Sequence, residues 1–321
     1  MKIKKLVSLM SMALMALGLL TGCGQKEVKF DAPIKIATLN GPTGMGMTQM
    51  IHDKNENYDI TLYQSADEIV GKIISEEIDI ACVPSNLAAV LYNKTEGNIY
   101  LLGTNTLGVL YIVENGETIH SLEDLRGKKV IASGKGSTPE YVFNELLLGA
   151  HIKLDSDIEI EYMANHTDVV TELVTSEGTI ALLPQPHVTV AASKNEKVHI
   201  ALDLNEVWES QEGTKLPMGV IIAQKDFVDT HKDEVAAFLT DYEDSVKFVN
   251  NNSKEAAEMM AKQGILPSAE IALSAIPSCH ITFIDGKAAK VDLEQFYTLL
   301  QGVNPQAIGG SLPDEAFYYS K

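Results

Sequence analysis

Short apolar runs alternate along this chain with longer segments in which apolar residues recur every three or four positions. The first pair is the run IKIATL at 34–39 followed by GMTQMIHD, and similar runs return at 58–63, 78–83 and 99–105. Runs of this length predict buried strands, and the periodic segments predict amphipathic helices. Strands that alternate with helices favour an α/β fold built on a parallel sheet.

A second block of the same kind begins near Ser121. Its strand-like runs are 128–132, 158–163, 179–184 and 198–203. Long strand-like links near 107–113 and 218–224 flank the block, and the pattern beyond the second link is mostly helical. The simplest arrangement inserts this block into the first one, so that the two links act as hinges and a cleft forms between two lobes.

The first thirty residues follow a different pattern. A basic start precedes an apolar stretch from about residue 6 to residue 20, which is shorter than the roughly 20 residues that a membrane span needs. The stretch ends in LTGC at 20–23 and resembles a bacterial lipobox. We therefore expect a lipoprotein signal peptide at 1–22, a lipid (palmitate) on Cys23 and a polar tether at 23–32. The chain would be lipid-anchored at the extracytoplasmic face of the cell membrane.

The charge of the chain narrows the range of partners. The formal net charge is −19, and it becomes −22 when the three lysines within residues 1–22 are removed. This negative charge argues against nucleic acid as a partner and against electrostatic attachment to anionic lipid. Arg126 is the one arginine of the sequence, so bidentate arginine recognition of a phosphate or carboxylate has little support.

The cysteines and histidines indicate neither a zinc site nor a defined disulfide. Cys82 and Cys279 remain besides Cys23, and they could pair in an oxidising compartment, but two buried free thiols are the favoured interpretation. Neither a C-x-x-C nor an H-x-x-x-H spacing occurs, so no metal site is expected.

The segment SGKGSTP at 133–139 joins a strand-like run to a helix-like run, as in many anion cradles. The Walker spacing fails because Lys135 precedes Gly136, and the dinucleotide fingerprint fails because Pro139 stands where its third glycine belongs. No nucleotide and no other cofactor is therefore predicted. An ordinary capped turn is the plain alternative for this loop.

Three segments carry a resemblance to a known family: the lipoprotein signal, IDIACVPSNLAAVL and SLEDLRGKKVIASGKGSTPEY. They resemble extracytoplasmic solute-binding proteins of ABC importers, in particular the group that serves nitrate, aliphatic sulfonates, taurine and thiamine-pyrimidine precursors. The resemblance covers nearly all of the mature chain. It implies the two-lobed, type II periplasmic-binding fold with two hinge strands, in which lobe 1 comprises 33–108 and 219–321 and lobe 2 comprises 109–218.

The same resemblance implies a function. The lobes would close on a small polar solute and deliver it to an ABC permease and its ATPase, with no catalytic residue. We expect the protein to act as a monomer. The rival interpretations are a ligand-sensing or adhesive surface lipoprotein of the same fold and an enzyme on this fold.

The strand-to-helix loops are the candidate ligand-binding segments, because such loops face the cleft in this kind of fold. They offer glycines for close backbone approach and neutral hydrogen-bonding side chains. The predicted ligand-binding residues are Asn40, Gly41, Thr43, Gly44, Ser85, Asn86, Gly136, Ser137, Thr138 and Gln185. Apart from Lys135, these loops contain no charged residue, which suits a neutral or weakly anionic ligand such as a pyrimidine or a sulfonate.

Overall fold

The computed structural model describes residues 28–154 and 156–320. The predicted signal peptide at 1–22 and the predicted lipidation site Cys23 lie outside the described residues. From residue 32 onward the chain forms one compact unit. Within the described ranges, no helix has both the length and the apolar character needed to cross a bilayer.

Eleven strands in the described residues carry the fold. They are β1 (Ile34–Leu39), β2 (Tyr58–Tyr63), β3 (Ile80–Pro84), β4 (Ile99–Thr106), β5 (Leu110–Asn115), β6 (Lys129–Ser133), β7 (Glu159–Met163), β8 (Ile180–Pro184), β9 (Val198–Asp203), β10 (Gly219–Gln224) and β11 (Ile281–Asp285). They form a six-stranded sheet in the order β11-β4-β10-β3-β1-β2 and a five-stranded sheet in the order β7-β6-β8-β5-β9.

Both sheets are mixed, whereas the alternation of strands and helices predicted a parallel sheet. In the six-stranded sheet β1 runs parallel to β2 and β3, whereas β10 runs antiparallel to β3 and β4. In the five-stranded sheet β6 runs parallel to β7 and β8, whereas β5 runs antiparallel to β8 and β9. The antiparallel strands β5 and β10 adjoin the two crossings, the segments in which the chain passes from one sheet to the other. Strand β5 begins just after the chain leaves the six-stranded sheet, and β10 begins where the chain returns to it.

Strand β11 was not predicted, because it lies in a region whose pattern is mostly helical. It pairs antiparallel with β4 at the edge of the six-stranded sheet. Ile281 is its one buried position, the next three residues are partly buried and Asp285 is exposed. A half-exposed edge strand of five residues leaves a weak apolar signal in the sequence.

Helices cover both sheets. The α-helices of the described residues are α1 (Pro42–Met45), α2 (Thr48–Asp53), α3 (Asp67–Ile74), α4 (Ser85–Lys94), α5 (Thr138–Gly149), α6 (His166–Thr175), α7 (His187–Lys194), α8 (Leu204–Glu212), α9 (Lys225–Thr230), α10 (Lys232–Asn251), α11 (Ser253–Gln263), α12 (Ala269–Ala275) and α13 (Lys290–Val303). Short 3₁₀ turns lie at Leu122–Leu125, Ile276–Ser278, Pro305–Ile308 and Glu315–Phe317.

The apolar core is continuous between the two sheets. Helix α8 follows β9 of the five-stranded sheet. Its Trp208 is fully buried and packs edge-on against Phe296 of α13, with ring centroids 6.3 Å apart. Gln295 of α13 donates a hydrogen bond from Nε2 to Glu212 Oε2 of α8 at 2.8 Å. Helix α13 therefore bonds to a helix of the five-stranded sheet as well as lying close to the six-stranded one.

Hydrogen bonds fix the first crossing, which lies between β4 and β5, to residues that follow the five-stranded sheet and to residues that precede β11. The Gly108 amide donates to Asn205 Oδ1 at 3.1 Å, and the Gly108 carbonyl oxygen accepts a hydrogen bond from His280 Nδ1. The Tyr111 hydroxyl donates to the Ser278 carbonyl oxygen at 2.6 Å. These bonds join the start of β5 to the segment before β11, and so they connect the two sheets at the crossing.

Candidate functional site

A cavity of about 560 Å³ lies where strands of the two sheets end. Residues after β1 and β3 line it from the six-stranded sheet, and residues after β6 and β8 line it from the five-stranded sheet. Thr106 and Met218, which adjoin the two crossings, also line the cavity. Both sheets and both crossings therefore contribute to one cavity wall.

The loop after β1 enters the short helix α1 through backbone that only glycine accommodates well. Gly41 has a φ of 80°, and a Cβ on Gly44 would lie 2.0 Å from the Leu39 carbonyl oxygen. A side chain at Gly44 would therefore displace the backbone of the preceding strand. This tight turn holds Thr43 on the cavity wall.

Three of the predicted residues are not among the residues that line the cavity: Asn40, Gly41 and Gly44. The Asn40 amide donates from Nδ2 to Gln64 Oε1 at 2.8 Å, and the Gly41 amide donates to the Ile265 carbonyl oxygen at 3.0 Å. These bonds tie the loop to its neighbours in the six-stranded half. A direct ligand contact of the three residues stays a prediction.

The loop after β3 supplies Ser85 and Asn86, and both line the cavity. Ser85 is the first residue inside α4, and Pro84 occupies the N-cap position, so a cap role does not account for the Ser85 hydroxyl. That hydroxyl donates to the Pro217 carbonyl oxygen at 2.7 Å, on the second crossing. Asn86 donates from Nδ2 to the Ala307 carbonyl oxygen at 3.3 Å, which leaves its Oδ1 as an acceptor.

The glycine loop after β6 places Gly136, Ser137 and Thr138 on the cavity wall. Gly134 and Gly136 each have a φ of 77°, a conformation that glycine adopts without strain. Ser137 takes the N-cap position of α5, but its hydroxyl donates to the Gly134 carbonyl oxygen. The Gly136 amide donates instead to the carboxylate of Glu140. The loop is thus held by bonds within its own turn, and the Ser137 amide also donates to the Gly134 carbonyl oxygen at 3.1 Å.

Gln185, after β8, is a fixed hydrogen-bond donor at the cavity. The residue is only 4% exposed, and it lines the cavity. Its Oε1 accepts hydrogen bonds from the backbone amide of Thr189 at 3.3 Å and from the Thr189 hydroxyl at 2.9 Å. Within the described residues its Nε2 has no hydrogen-bond acceptor. Because Oε1 is held by the first turn of α7, the amide presents Nε2 as the free group.

The segment after α13 closes the cavity from the C-terminal side, and it was not predicted as part of the site. Asn304, Gln306 and Ala307 line the cavity, together with Tyr141 one turn into α5. Asn304 donates from Nδ2 to the Tyr141 hydroxyl at 2.8 Å, and that hydroxyl donates to the Gly136 carbonyl oxygen at 2.9 Å. None of these residues directly follows a strand, so the rule that identified the loops could not find them.

A histidine pair lies close to these loops without lining the cavity. The rings of His166 and His187 have centroids 4.8 Å apart, and His166 Nδ1 is hydrogen-bonded to the Ser133 hydroxyl. Burial, together with the neighbouring His187, lowers the pKa of His166 to about 4, and burial also lowers the pKa of His187. Both rings are therefore neutral at physiological pH.

The side chains that line the cavity in the described part of the chain are uncharged. Among the described residues, none that lines the cavity is Lys, Arg, His, Asp, Glu or Cys. Cys82 and Cys279 are free and buried, and burial raises the pKa of each thiol to about 12. Thiols of this kind are poor nucleophiles near neutral pH.

A family model described as "ABC transporter, phosphonate, periplasmic substrate-binding protein" matches residues 53–271. The match covers more than half of the chain and includes the loops after β3, β6 and β8. Among curated proteins, none matches the sequence.

Solved structures show the same fold. An ABC transporter from Parabacteroides distasonis has 24% identity and a TM-score of 0.77, over 91% of this chain and 100% of that one. The periplasmic aliphatic sulphonate binding protein from Escherichia coli has 14% identity and a TM-score of 0.68, over 90% and 92%. A putative nitrate transport protein from Thermoplasma volcanium has 14% identity and a TM-score of 0.55, over 85% and 94%.

Proposed function

The chain belongs to the family of ABC-transporter periplasmic substrate-binding proteins whose description names phosphonate, and on that premise we propose that it captures a small polar solute in the cavity and delivers it to a membrane permease with its ATPase. In this proposal the protein is a binding subunit, not an enzyme. Fold alone does not assign a ligand, so the argument has to come from the site.

The observation that carries the proposal is the shared wall of the cavity. Loops of both sheets and residues of both crossings meet there, so a bound solute would contact both halves at once. A ligand that contacts both halves stabilises the arrangement in which they are close. We propose lobe 1 as residues 33–108 and 219–321 and lobe 2 as residues 109–218, with the crossings as hinges.

The proposed ligand contacts are the predicted residues that line the cavity, supplemented by neighbours that the sequence did not indicate. The predicted ones are Thr43, Ser85, Asn86, Gly136, Ser137, Thr138 and Gln185. The added ones are Thr106, Tyr141, Asn304 and Gln306. The related structures bear the names of sulphonate and nitrate proteins, and together with a thiamine-pyrimidine precursor these are the starting candidates for the solute.

Native mass spectrometry of the full-length chain, purified in mild detergent, tests solute capture. We expect a bound small molecule in the wild type that is released on denaturation. The variant Thr138→Trp should lose it, because an indole would fill space in the cavity. Glu255→Ala, on the exposed face of α11, serves as the control and should retain it. A wild-type chain that carries no small molecule, and whose melting temperature no candidate solute raises, contradicts the proposal.

We also propose that Cys23 carries the lipid that holds the protein at the extracytoplasmic face of the membrane, and that the protein acts as a monomer. The variant Cys23→Ala should move the protein from the membrane fraction to the soluble fraction without changing solute binding. An unchanged membrane fraction would contradict the anchor. Sedimentation velocity of the wild type would reveal a dimer if the monomer proposal is wrong.

A further inference from the structure

Asn105 lies beneath the cavity wall, near the end of β4, and is not among the residues that line the cavity. It is only 1% exposed. Its Nδ2 donates to the Thr43 carbonyl oxygen at 3.2 Å, and its Oδ1 accepts a hydrogen bond from the Thr106 hydroxyl at 3.0 Å. Thr43 and Thr106 both line the cavity. One buried side chain therefore bonds to two parts of the wall that are distant in the sequence.

The two partners fix the orientation of this amide. A carbonyl oxygen can only accept, so the Thr43 carbonyl requires Nδ2 on its side and leaves Oδ1 facing Thr106. The Thr106 hydroxyl then donates to Oδ1. The position thus needs a donor and an acceptor on two separate atoms of one short side chain. The amide of asparagine supplies both without a charge at neutral pH.

Asn105 also packs against the second crossing. A Cβ on Gly219, the first residue of β10, would lie 2.5 Å from Asn105 Oδ1 and 3.0 Å from Thr106 Oγ1. The backbone amide of Met218 donates to the Thr106 carbonyl oxygen at 2.9 Å, and Met218 lines the cavity. The loop after β1, the end of β4 and the start of β10 therefore meet at this one side chain.

The loop that Asn105 contacts has little stability of its own. Helix α1 spans four residues, Pro42–Met45, and no side chain caps its start at Gly41. A helix of about one turn is unstable without tertiary contacts. The position of Thr43 therefore depends on bonds that reach the loop from elsewhere in the fold, and the bond from Asn105 ends on Thr43 itself.

We propose that Asn105 is a positioning residue of the binding site: its amide holds Thr43 and Thr106 in place beside the second crossing, so that this part of the wall is formed before a solute arrives. This inference rests on the proposed function, because a wall formed in advance matters only if the cavity captures a solute. A preorganised site binds more tightly because less conformational freedom is lost on binding.

Hydrogen–deuterium exchange of the full-length chain, without added solute, tests whether Asn105 holds the loop. The backbone amides of Gly41 and Gly44 are hydrogen-bonded and report on it. In Asn105→Leu we expect these amides to exchange about tenfold faster or more, because the loop opens more often. Asn115→Leu is the matched control. Asn115 is 2% exposed and donates from Nδ2 to a carbonyl oxygen of α6 at 2.8 Å, in the five-stranded half.

The variant Asn105→Asp offers a rescue that keeps the shape of the side chain. As a carboxylate it accepts from Thr106 but has no hydrogen for the Thr43 carbonyl, whereas as a carboxylic acid it offers both groups. Burial raises the pKa of such a carboxyl, so the loop should exchange fast at about pH 8 and regain protection towards about pH 5, after correction for intrinsic exchange rates. Among the described residues, the titratable side chains that face the Asn105 amide are Cys82 and Tyr242. Burial raises the pKa of both, that of the thiol to about 12, so neither titrates in this range.

Three results overturn the inference. If exchange rises no more in Asn105→Leu than in Asn115→Leu, the amide does not hold the loop. If exchange in Asn105→Asp does not depend on pH, its two hydrogen bonds are not the cause. If native mass spectrometry finds that Asn105→Leu retains its co-purified molecule as fully as the wild type, the link to binding fails and solute capture stands. A wild type that carries no molecule contradicts the proposed function instead, because the exchange measurement needs no solute.

Discussion

Tyr141 and Asn304 meet across the cavity, with Asn304 Nδ2 2.8 Å from the Tyr141 hydroxyl oxygen. Tyr141 belongs to α5, beside the five-stranded sheet, and Asn304 directly follows α13. The same hydroxyl donates to the Gly136 carbonyl oxygen and so holds the glycine loop in place. One phenol therefore links a ligand-facing loop to the opposite wall.

Removing that hydroxyl should loosen the contact between the two walls of the cavity. Tyr141→Phe keeps the ring and deletes two hydrogen bonds, each worth about 1 kcal/mol. We expect a longer and broader distance between spin labels at exposed Lys94 and Lys194, measured by pulsed electron paramagnetic resonance. Tyr63→Phe, on β2, is the control and should leave the distribution unchanged. An unaltered distribution in Tyr141→Phe would show that this bond does not hold the two walls together.

The His166 ring should make stability depend on pH. Burial, and next the neighbouring His187, lowers the pKa of His166 to about 4 in the folded protein, against 6.5 for the ordinary group. As the pH falls, the unfolded chain therefore binds this proton before the folded chain does. The contribution of His166 to the free energy of unfolding is complete above about pH 6.5 and is lost as the pH falls towards 4. The loss is on the order of 2–3 kcal/mol.

Urea unfolding at several pH values between these limits measures this loss. In His166→Gln the decline of the unfolding free energy should be shallower than in the wild type. The exposed residue His52 provides the control, and His52→Gln should retain the wild-type slope. Parallel profiles for the wild type and His166→Gln would contradict the assignment of the slope to this ring.

Gly46 lies against a buried tyrosine and should not tolerate a side chain. A Cβ there would lie 2.2 Å from the hydroxyl oxygen of Tyr242, which is fully buried. Gly46→Ala should lower the free energy of unfolding by about 1–3 kcal/mol. The double variant with Tyr242→Phe should recover part of this loss, because the clashing oxygen is gone.

The same substitution at an open site gives the matched control. A Cβ on Gly71 of α3 meets no atom within 4 Å, so Gly71→Ala should stabilise the protein by about 0.5–1 kcal/mol through helix propensity. Urea denaturation midpoints measure both effects. Equal shifts at the two positions would show that the contact with Tyr242 is not responsible.

The two buried thiols should be unreactive in the folded protein. Burial raises the pKa of Cys82 and of Cys279 to about 12, which leaves little thiolate at neutral pH. Brief iodoacetamide treatment followed by peptide mass spectrometry should find both residues unmodified in buffer and both modified in denaturant. Modification of either residue in buffer would show that its surroundings open to solvent.

Several elements could be predicted from local pattern alone. Strands β1 and β2 have the bounds that the pattern predicted, although β1 is buried at five of its six positions and β2 is only partly buried. Pattern does not encode strand direction, however, and β5 and β10 run against their neighbours because the chain crosses between the sheets at those points. Strand β11 was not predicted, because a half-exposed strand leaves little apolar pattern in the sequence.

The residues that line the cavity also divide into those that the sequence could identify and those that it could not. Thr43, Ser85, Gly136 and Gln185 line the cavity and could be named from the sequence, since each lies just beyond the end of a strand. Asn304 could not, because it follows a helix and approaches the cavity only when α13 packs against both halves.

By itself, the sequence determined the α/β class and, apart from Lys135, the absence of charged residues from the candidate loops, since these depend on residue type and short-range periodicity. Only the tertiary structure decided which groups still have free hydrogen-bonding capacity. Glu140 reads as an ordinary helical residue until the fold brings its carboxylate to the Gly136 amide. A hydrogen bond requires a distance and a direction, and packing of the whole chain sets both.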